Sequence, residues 1–150
     1  MPDVSAKVEW LIGSDKALAE VGTKATQRNV LRRALTTAAK PIEDAVEGGA
    51  PVETGFTSRS FATSPTQNPA QKRASRGEQK GFAEVYVGTR RGSAAHLKEY
   101  GTFKMPAAPF FRPAWDANKD KAEQILGKEL WVEIEKAAQR AAKKRAKAGL

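Results

Sequence analysis

The stretch His96-Leu-Lys-Glu-Tyr-Gly-Thr-Phe-Lys-Met-Pro-Ala-Ala-Pro-Phe-Phe-Arg-Pro-Ala-Trp-Asp116 holds five of the chain's eleven aromatic residues and three of its eight prolines. Proline fixes the backbone and removes a hydrogen-bond donor, so most of this stretch cannot join a regular helix or strand. Aromatic side chains on such a backbone form either a core or a contact surface. The elements on either side of the stretch therefore decide the fold.

Beyond the stretch, apolar residues recur every three or four positions, the pattern of one helix face. Pro113 fits the first turn, where a missing donor costs nothing, and Asp116 suits the positive end of the helix dipole. We expect a long helix with a basic end at 140–150. Its core face is expected to contain Ala122, Ile125, Leu126, Leu130, Val132, Ile134, Ala137 and Ala141.

The N-terminal half predicts a strand followed by two helices. Residues 4–12 alternate apolar and polar side chains with the period of a strand. Ser14 can cap a short helix, and Gly22 suits its end. Apolar residues then recur at helical spacing over 23–47, and Pro41 predicts a kink or a break in this helix.

Two segments rich in β-forming residues, Phe56–Thr63 and Phe82–Gly88, predict an antiparallel hairpin. Their connection, 64–81, has no apolar residue larger than Ala or Pro and carries four basic residues against one acid. Connections of this length without secondary structure are functional or disordered, so we expect this one to be mobile. A short helix is expected over 93–100, ended by Gly101.

The elements together predict an α+β fold, in which a small antiparallel sheet packs against a kinked N-terminal-half helix and a long C-terminal helix. A chain of 150 residues fits one domain, residues 1–150, with the mobile basic connection 64–81 and the basic end 140–150. There is no Cys, so the fold rests on packing. The N-terminus has no signal-peptide pattern and no apolar run spans a bilayer, which predicts a soluble, unexported chain.

The formal net charge is +9, and the excess lies mainly in residues 56–112, which carry ten basic and three acidic side chains. Such an excess favours a polyanion or an acidic protein surface as a neighbour. Candidate contacts with DNA or an acidic partner are Lys72, Arg73, Arg76, Lys80, Arg90 and Arg91.

Catalytic chemistry has little support in the sequence. His96 is the only histidine, which excludes a multi-histidine zinc site, and the lack of Cys excludes a Cys-His dyad. Ser93, His96 and Glu99 follow at intervals of three, which on a helix places polar side chains on one exposed face. No Walker loop or dinucleotide fingerprint is present. We therefore predict no enzymatic activity, cofactor or metal.

Several motifs follow one another in a specific order. The turn Ala50-Pro-Val-Glu-Thr-Gly55 follows a helix, and Val85-Tyr-Val-Gly88 ends a strand. Glu99-Tyr-Gly-Thr102 and Met105-Pro-Ala-Ala-Pro-Phe-Phe-Arg-Pro-Ala114 then precede a long helix. Over residues 25–140 this order resembles the neck or tail-completion proteins of long-tailed bacteriophages.

The resemblance implies a small, non-enzymatic α+β subunit of the connector that joins the DNA-filled head to the tail. The expected partners are copies of itself in a ring, a hexamer to match the tail tube, together with neighbouring connector and tail-tube proteins. DNA would pass through the lumen, and no membrane is involved. The expected location is the head–tail junction of the virion, and the host cytoplasm during assembly.

The proline-rich stretch is the candidate contact surface, because a fixed backbone loses less entropy on docking. Adjacent residues on an extended chain point to opposite sides. We therefore expect Trp115 and one of Phe110 and Phe111 to enter the core, while the other Phe is free for a partner. The expected turn residues are Pro51, Thr54 and Gly55, and the expected interface residues are Tyr100, Gly101, Thr102, Phe103, Met105, Pro106, Pro109, Phe110, Phe111 and Arg112.

Two alternatives stay open at this point. In the first, the chain is a basic nucleic-acid-binding protein that holds phosphates with 64–81 and 140–147, although these segments lack interleaved aromatic residues for base stacking. In the second, it is a toxin-like or hydrolytic enzyme that uses His96, and His96→Ala would abolish its activity.

Overall fold

The computed structural model describes residues 13–50, 61–78, 81–89 and 95–149. Helix accounts for 68 % of the structure, beside one two-stranded antiparallel sheet, which confirms the α+β class. Among the described residues no helix is long and apolar enough to cross a bilayer. The predicted strand over 4–12 lies outside them. In chain order the elements are α1 (Ser14–Glu20), α2 (Lys24–Gly49), β1 (Phe61–Ser64), α3 (Pro69–Ala74), β2 (Tyr86–Thr89), α4 (Ala95–Tyr100) and α5 (Phe111–Lys147).

The core lies between α2 and α5, in two clusters. Early residues of α2 meet late residues of α5 and late residues of α2 meet early ones, so the two helices run antiparallel. The first cluster is Val21, Val30, Ala34, Leu130, Ile134 and Ala137. The second also takes in the sheet and consists of Ile42, Val46, Ala50, Phe61, Phe110 and Ala114.

The predicted core face of α5 is confirmed where the helix meets the first half of α2. Leu130, Ile134 and Ala137 are buried in the first cluster, and Leu126 packs against it. Val132 is exposed, so its predicted place in the core face is wrong. Position 132 is two residues from both Leu130 and Ile134, and on a helix that spacing points its side chain away from theirs.

The first two helices begin with different caps. Gly13 occupies the cap position of α1, with a φ of 82°. Ser14, which was predicted to be the cap, is instead buried and is the first residue of the helix, so that prediction is wrong by one position. Gly22 separates α1 from α2 with a φ of 145°. Thr23 then caps α2, because its hydroxyl accepts a hydrogen bond from the Thr26 N–H at 3.3 Å.

Helix α2 continues through Pro41 without a break. Proline removes one backbone donor and crowds the preceding turn. Ala38 and Ile42, on either side of it, are buried, and Lys40 pairs with Asp44 at 3.1 Å across the same turn. Burial of the residues around Pro41 outweighs the lost hydrogen bond, so the helix is not divided.

The predicted antiparallel pairing is confirmed, with Phe61 of β1 opposite Thr89 of β2. The first five residues of the predicted first strand, 56–60, lie outside the described residues. β2 begins at Tyr86 and not at Phe82 as predicted. The chain bends at 82–83, and the Gly81 N–H donates to the Glu84 carboxylate at 2.5 Å across this bend. The bend lies within the segment that was predicted to be strand, so β2 is shorter than predicted.

The connection between the strands contains a helix, α3, so the prediction of an irregular connection is wrong over its six residues. The Asn68 side chain accepts from the Gln71 N–H at 2.8 Å, and the Gln71 side chain accepts from the Asn68 N–H at 2.9 Å. This reciprocal pair is a capping box, and Pro69 fits the first turn. The mobility of 64–81 stays a prediction.

Candidate subunit-contact site

The candidate contact surface is centred on residues 101–109, the contact loop, which connects α4 to α5. Gly101 ends α4 with a φ of 77°, and its N–H donates to the Leu97 carbonyl at 2.8 Å. A Cβ at Gly101 would lie 2.7 Å from the backbone nitrogen of Ala107. Both the backbone angle and this close approach require glycine.

Backbone hydrogen bonds close the contact loop into a fixed shape. The Thr102 N–H donates to the Met105 carbonyl at 2.8 Å, and the Met105 N–H donates back at 3.2 Å. The Ala108 N–H then donates to the Lys98 carbonyl at 2.8 Å, which ties the returning chain to α4. Phe103 and Lys104 stand at the tip of the turn that these bonds define.

The carboxylate of Glu99 in α4 caps the first turn of α5. One oxygen accepts from the N–H groups of Phe110 and Phe111 at 2.8 and 2.9 Å. The other accepts from the backbone N–H of Arg112 at 3.1 Å and from its Nε at 3.0 Å. The first N–H groups of a helix have no partner within the helix, so a carboxylate here satisfies donors that would otherwise be unpaired.

Glu99 is only 5 % exposed. Burial by itself raises the pKa of a carboxyl group, but the hydrogen bonds from Phe111, Phe110 and Arg112 favour the charged form more strongly and hold the pKa of Glu99 below its ordinary value. Glu99 is therefore ionised at neutral pH. It joins the end of α4 to the start of α5 and so fixes both ends of the contact loop.

The loop and the helix that follows it expose large apolar side chains. Phe103 is fully exposed, Tyr100 is 69 % exposed and Trp115 is 50 % exposed. The Arg112 guanidinium lies 5.0 Å from the centre of the Tyr100 ring, a cation–π distance. Aromatic side chains and Arg on a rigid backbone are typical of the centre of protein interfaces.

Two expectations about the aromatic residues are wrong. Phe110 and Phe111 both pack on Phe61, with ring centres 5.8 and 6.2 Å away, so neither is free for a partner. The alternation rule fails because Phe111 is the first residue of α5, where the chain is no longer extended. Trp115 was expected in the core, yet half of its surface is exposed.

The other expected interface residues divide by exposure. Gly101 is half-buried and acts through the backbone. Phe110 is buried and Phe111 half-buried, so the contact surface is smaller than predicted. The exposed members are Tyr100, Thr102, Phe103, Met105, Pro106, Pro109 and Arg112.

A basic surface lies on and after α3. Lys72, Arg73 and Arg76 are exposed there, as their polarity predicts. Lys72 lines a cleft of about 340 Å³ together with Arg32 of α2, a residue that the sequence did not single out. The buried Nε of Arg32 has no hydrogen-bond partner among the described residues. The signal for Arg32 was weak, because a basic residue on a helix is usually only solvated.

Six of the predicted site residues belong to segments that the structure does not describe. They are Pro51, Thr54, Gly55, Lys80, Arg90 and Arg91. His96 belongs to α4. Among the described residues, no group of three His, Cys, Asp or Glu side chains is arranged to hold a metal ion.

The sequence placed Glu99 in the Glu99-Tyr-Gly-Thr102 motif and on a polar helix face that was expected to be exposed, but it did not predict that Glu99 fixes the contact loop. The expected exposure is wrong, because Glu99 is buried and accepts hydrogen bonds from the first turn of α5. Its hydrogen-bond partners lie 11 to 13 positions further along the chain, so no local spacing pattern predicts these contacts. Comparison of the chain with protein-family models, with curated proteins and with solved structures gave no match.

Proposed function

We propose that the chain is a non-enzymatic structural subunit of a bacteriophage head–tail connector, a neck or tail-completion ring between the DNA-filled head and the tail. Its partners are copies of itself in a hexameric ring, the neighbouring connector and tail-tube proteins, and DNA in the lumen. It acts in the virion after assembly in the host cytoplasm. No cofactor or membrane takes part in this role.

One observation carries the proposal: the contact loop is held in shape from within and exposes its aromatic tip. Glu99 and Gly101 fix the backbone, so little entropy is lost when Phe103 docks. The loop overlaps the Glu99-Tyr-Gly-Thr102 motif and the first half of the Met105–Ala114 motif, on which the resemblance to connector proteins rests. Phe103 is not an isolated exposed apolar residue, because Tyr100 and Met105 are also exposed within five positions of one another along the chain. Clustered exposed apolar side chains of this kind mark contact sites, whereas single ones need no explanation.

The partner that we assign to the contact loop is a second copy of the chain. A ring needs a contact between two different surfaces of each subunit, so that successive copies join head to tail. The contact loop stands at one end of α5, a helix of 37 residues, which at 1.5 Å per residue extends for about 55 Å. A projecting loop at one end of so long a subunit can reach a neighbour without disturbing the core.

Light scattering across a protein concentration series tests the proposal. The unchanged chain is expected to form a concentration-dependent ring, and Phe103→Ser is expected to remain a monomer with the same thermal stability. Trp131→Ser is the matched control, because Trp131 is also exposed on α5 but lies away from the contact loop. It should assemble like the unchanged chain.

Two results would contradict the proposal. If Phe103→Ser forms the same ring, the contact loop does not hold the subunits together. If the unchanged chain is a monomer at every concentration and also fails to assemble on a purified tail tube, the chain is not a connector subunit.

The nucleic-acid-binding alternative has one observation in its favour. Lys72, Arg73 and Arg76 form no ion pair with a described carboxylate, and Lys72 shares its cleft with Arg32. These cations suit an acidic neighbouring ring or DNA in the lumen equally well. Replacing all three with Gln separates the two in a salt titration of DNA binding. If these cations contact DNA, the slope of log K against log salt becomes less steep, whereas contacts with an acidic ring leave DNA binding unchanged.

A further inference from the structure

The last turns of α5 carry cations that no described carboxylate balances. All charged side chains from 138 to 149 are basic, namely Arg140, Lys143, Lys144, Arg145 and Lys147. None of them forms an ion pair with a described residue. Earlier in the same helix, Lys119 pairs with Asp116 at 3.9 Å and Lys136 with Glu133 at 3.5 Å. The charge balance of α5 is therefore lost only at its end.

Four of these cations lie along one side of the helix and form what we call the basic stripe: Arg140, Lys143, Lys144 and Lys147. Their spacing of i, i+3, i+4 and i+7 places them on a single face. The stripe borders a cleft of about 460 Å³ between the start of α2 and the end of α5. Arg140, Lys144 and Arg145 line this cleft with the hydroxyl-bearing residues Thr23 and Thr26, while Lys143 and Lys147 continue the stripe outside it.

The basic stripe opposes the stability of its own helix. Like charges three or four residues apart repel each other, and the stripe contains four such pairs. Attraction to the negative end of the helix dipole explains basic residues in the last turn, which holds Lys144, Arg145 and Lys147. It does not extend to Arg140 and Lys143. A bound polyanion would relieve the repulsion.

We propose that the basic stripe binds the phosphate backbone of nucleic acid without reading its base sequence. Lys and Arg side chains and Thr hydroxyl groups are typical phosphate contacts. Protein interfaces use large apolar or aromatic anchors and are depleted in Lys, whereas the uncharged residues over 141–148 are all Ala. The absence of aromatic side chains there also excludes base stacking by this segment. The stripe lies at the opposite end of α5 from the contact loop, so the inference does not depend on ring formation.

Fluorescence anisotropy of a labelled random-sequence DNA duplex tests the inference with the full chain. Four phosphate contacts predict that the affinity falls by about 150-fold between roughly 50 and 200 mM NaCl. In the triple variant Lys143→Gln, Lys144→Gln, Lys147→Gln, binding at low salt should weaken and the remaining loss should be about fourfold. The control is Lys119→Gln, Lys121→Gln, Lys128→Gln, which removes the same charge from the same helix and should keep the full salt dependence.

Three results would overturn the inference. The first is no binding of the unchanged chain at the lowest salt concentration. The second is an equal loss of DNA affinity in the control variant, which would show that binding depends only on the net charge of the chain. The third is equally tight binding to polyglutamate or to phosphatidylserine vesicles, which would assign the stripe to acidic proteins or membranes. Circular dichroism at 222 nm checks that both variants keep their helices, so that a loss of binding is not a loss of folding.

Discussion

The two ends of α5 use charge in opposite ways. At the first turn, the buried carboxylate of Glu99 meets three backbone N–H groups and the Arg112 side chain. At the last turns, five exposed cations meet no described carboxylate. A buried charge with all its hydrogen bonds made fixes the surrounding backbone, whereas an exposed unpaired charge is available to a partner. In the first case the charge holds a binding surface in shape, and in the second the charge is the binding surface.

The largest effect that we expect comes from the aromatic packing beneath the first turn of α5. Phe61→Ala should lower the free energy of unfolding by about 3–5 kcal/mol, because Phe61 contacts both Phe110 and Phe111. Phe103→Ala is the control and should change stability by less than about 0.5 kcal/mol, since Phe103 is exposed. Urea unfolding followed by circular dichroism measures both. A loss below about 1 kcal/mol for Phe61→Ala would mean that charge alone organises this end.

The next effect isolates the buried charge. Glu99→Gln should cost about 2–3 kcal/mol, because an amide offers one acceptor oxygen to the backbone donors and turns its own NH₂ group towards them. Glu135→Gln is the control, because it removes an exposed carboxylate from α5, the helix that Glu99 caps, and should be nearly neutral. The same urea titration compares the two variants. Equal effects would show that Glu99 does not hold the helix start.

The contribution of Glu99 should also depend on pH. Its pKa is lower in the folded than in the unfolded chain, so the stabilisation is fully present above the ordinary value of 4.5 and is lost as the pH falls through the folded value. The difference in stability between the unchanged chain and Glu99→Gln is therefore expected to be constant near neutral pH and to shrink below pH 4.5. Unfolding measured across this range checks the sign. A difference that grows on acidification would contradict the burial of a charged Glu99.

The backbone of the contact loop gives a smaller effect. Gly101→Ala should cost about 2 kcal/mol, partly for its positive φ and partly for the approach to Ala107. Gly77→Ala provides the matched control, since Gly77 also has a positive φ but would place its Cβ in open space, and about 1 kcal/mol is expected there. Thermal unfolding of both variants separates the two costs. If the losses are equal, the loop can move away from the added Cβ and is less rigid than proposed.

Periodic features of the fold could be predicted from the sequence. The helical spacing of Leu130 and Ile134 follows from burial of one helix face. The two paired strands could be predicted from their β-forming residues, since neither shows alternating burial. The capping box of Asn68 and Gln71 is also a local signal, so α3 could have been found. The irregular backbone of the contact loop could be predicted from its prolines, which exclude regular structure over much of 101–109.

The remaining features of the site depend on contacts between distant positions. Glu99 reaches Phe110 only because Gly101 reverses the chain, and no spacing rule encodes that approach. The wrong prediction for Phe111 has the same cause, since the direction of its side chain depends on the residue at which α5 begins. The exposure of Trp115 depends on what lies opposite that face of α5, which the sequence of the helix itself does not state.

The smallest effect concerns the other end of α5. Lys143→Gln removes two repulsive pairs, with Arg140 and Lys147, and should raise stability by a few tenths of a kcal/mol. Lys147→Gln also removes two such pairs but lies in the last turn, where its attraction to the helix dipole is lost, so little net change is expected. Amide hydrogen exchange in the last turns at low salt resolves the difference, which high salt should abolish. If both substitutions increase amide exchange equally, the cations act only by stabilising the helix through its dipole. There would then be no repulsion among them for a bound polyanion to relieve.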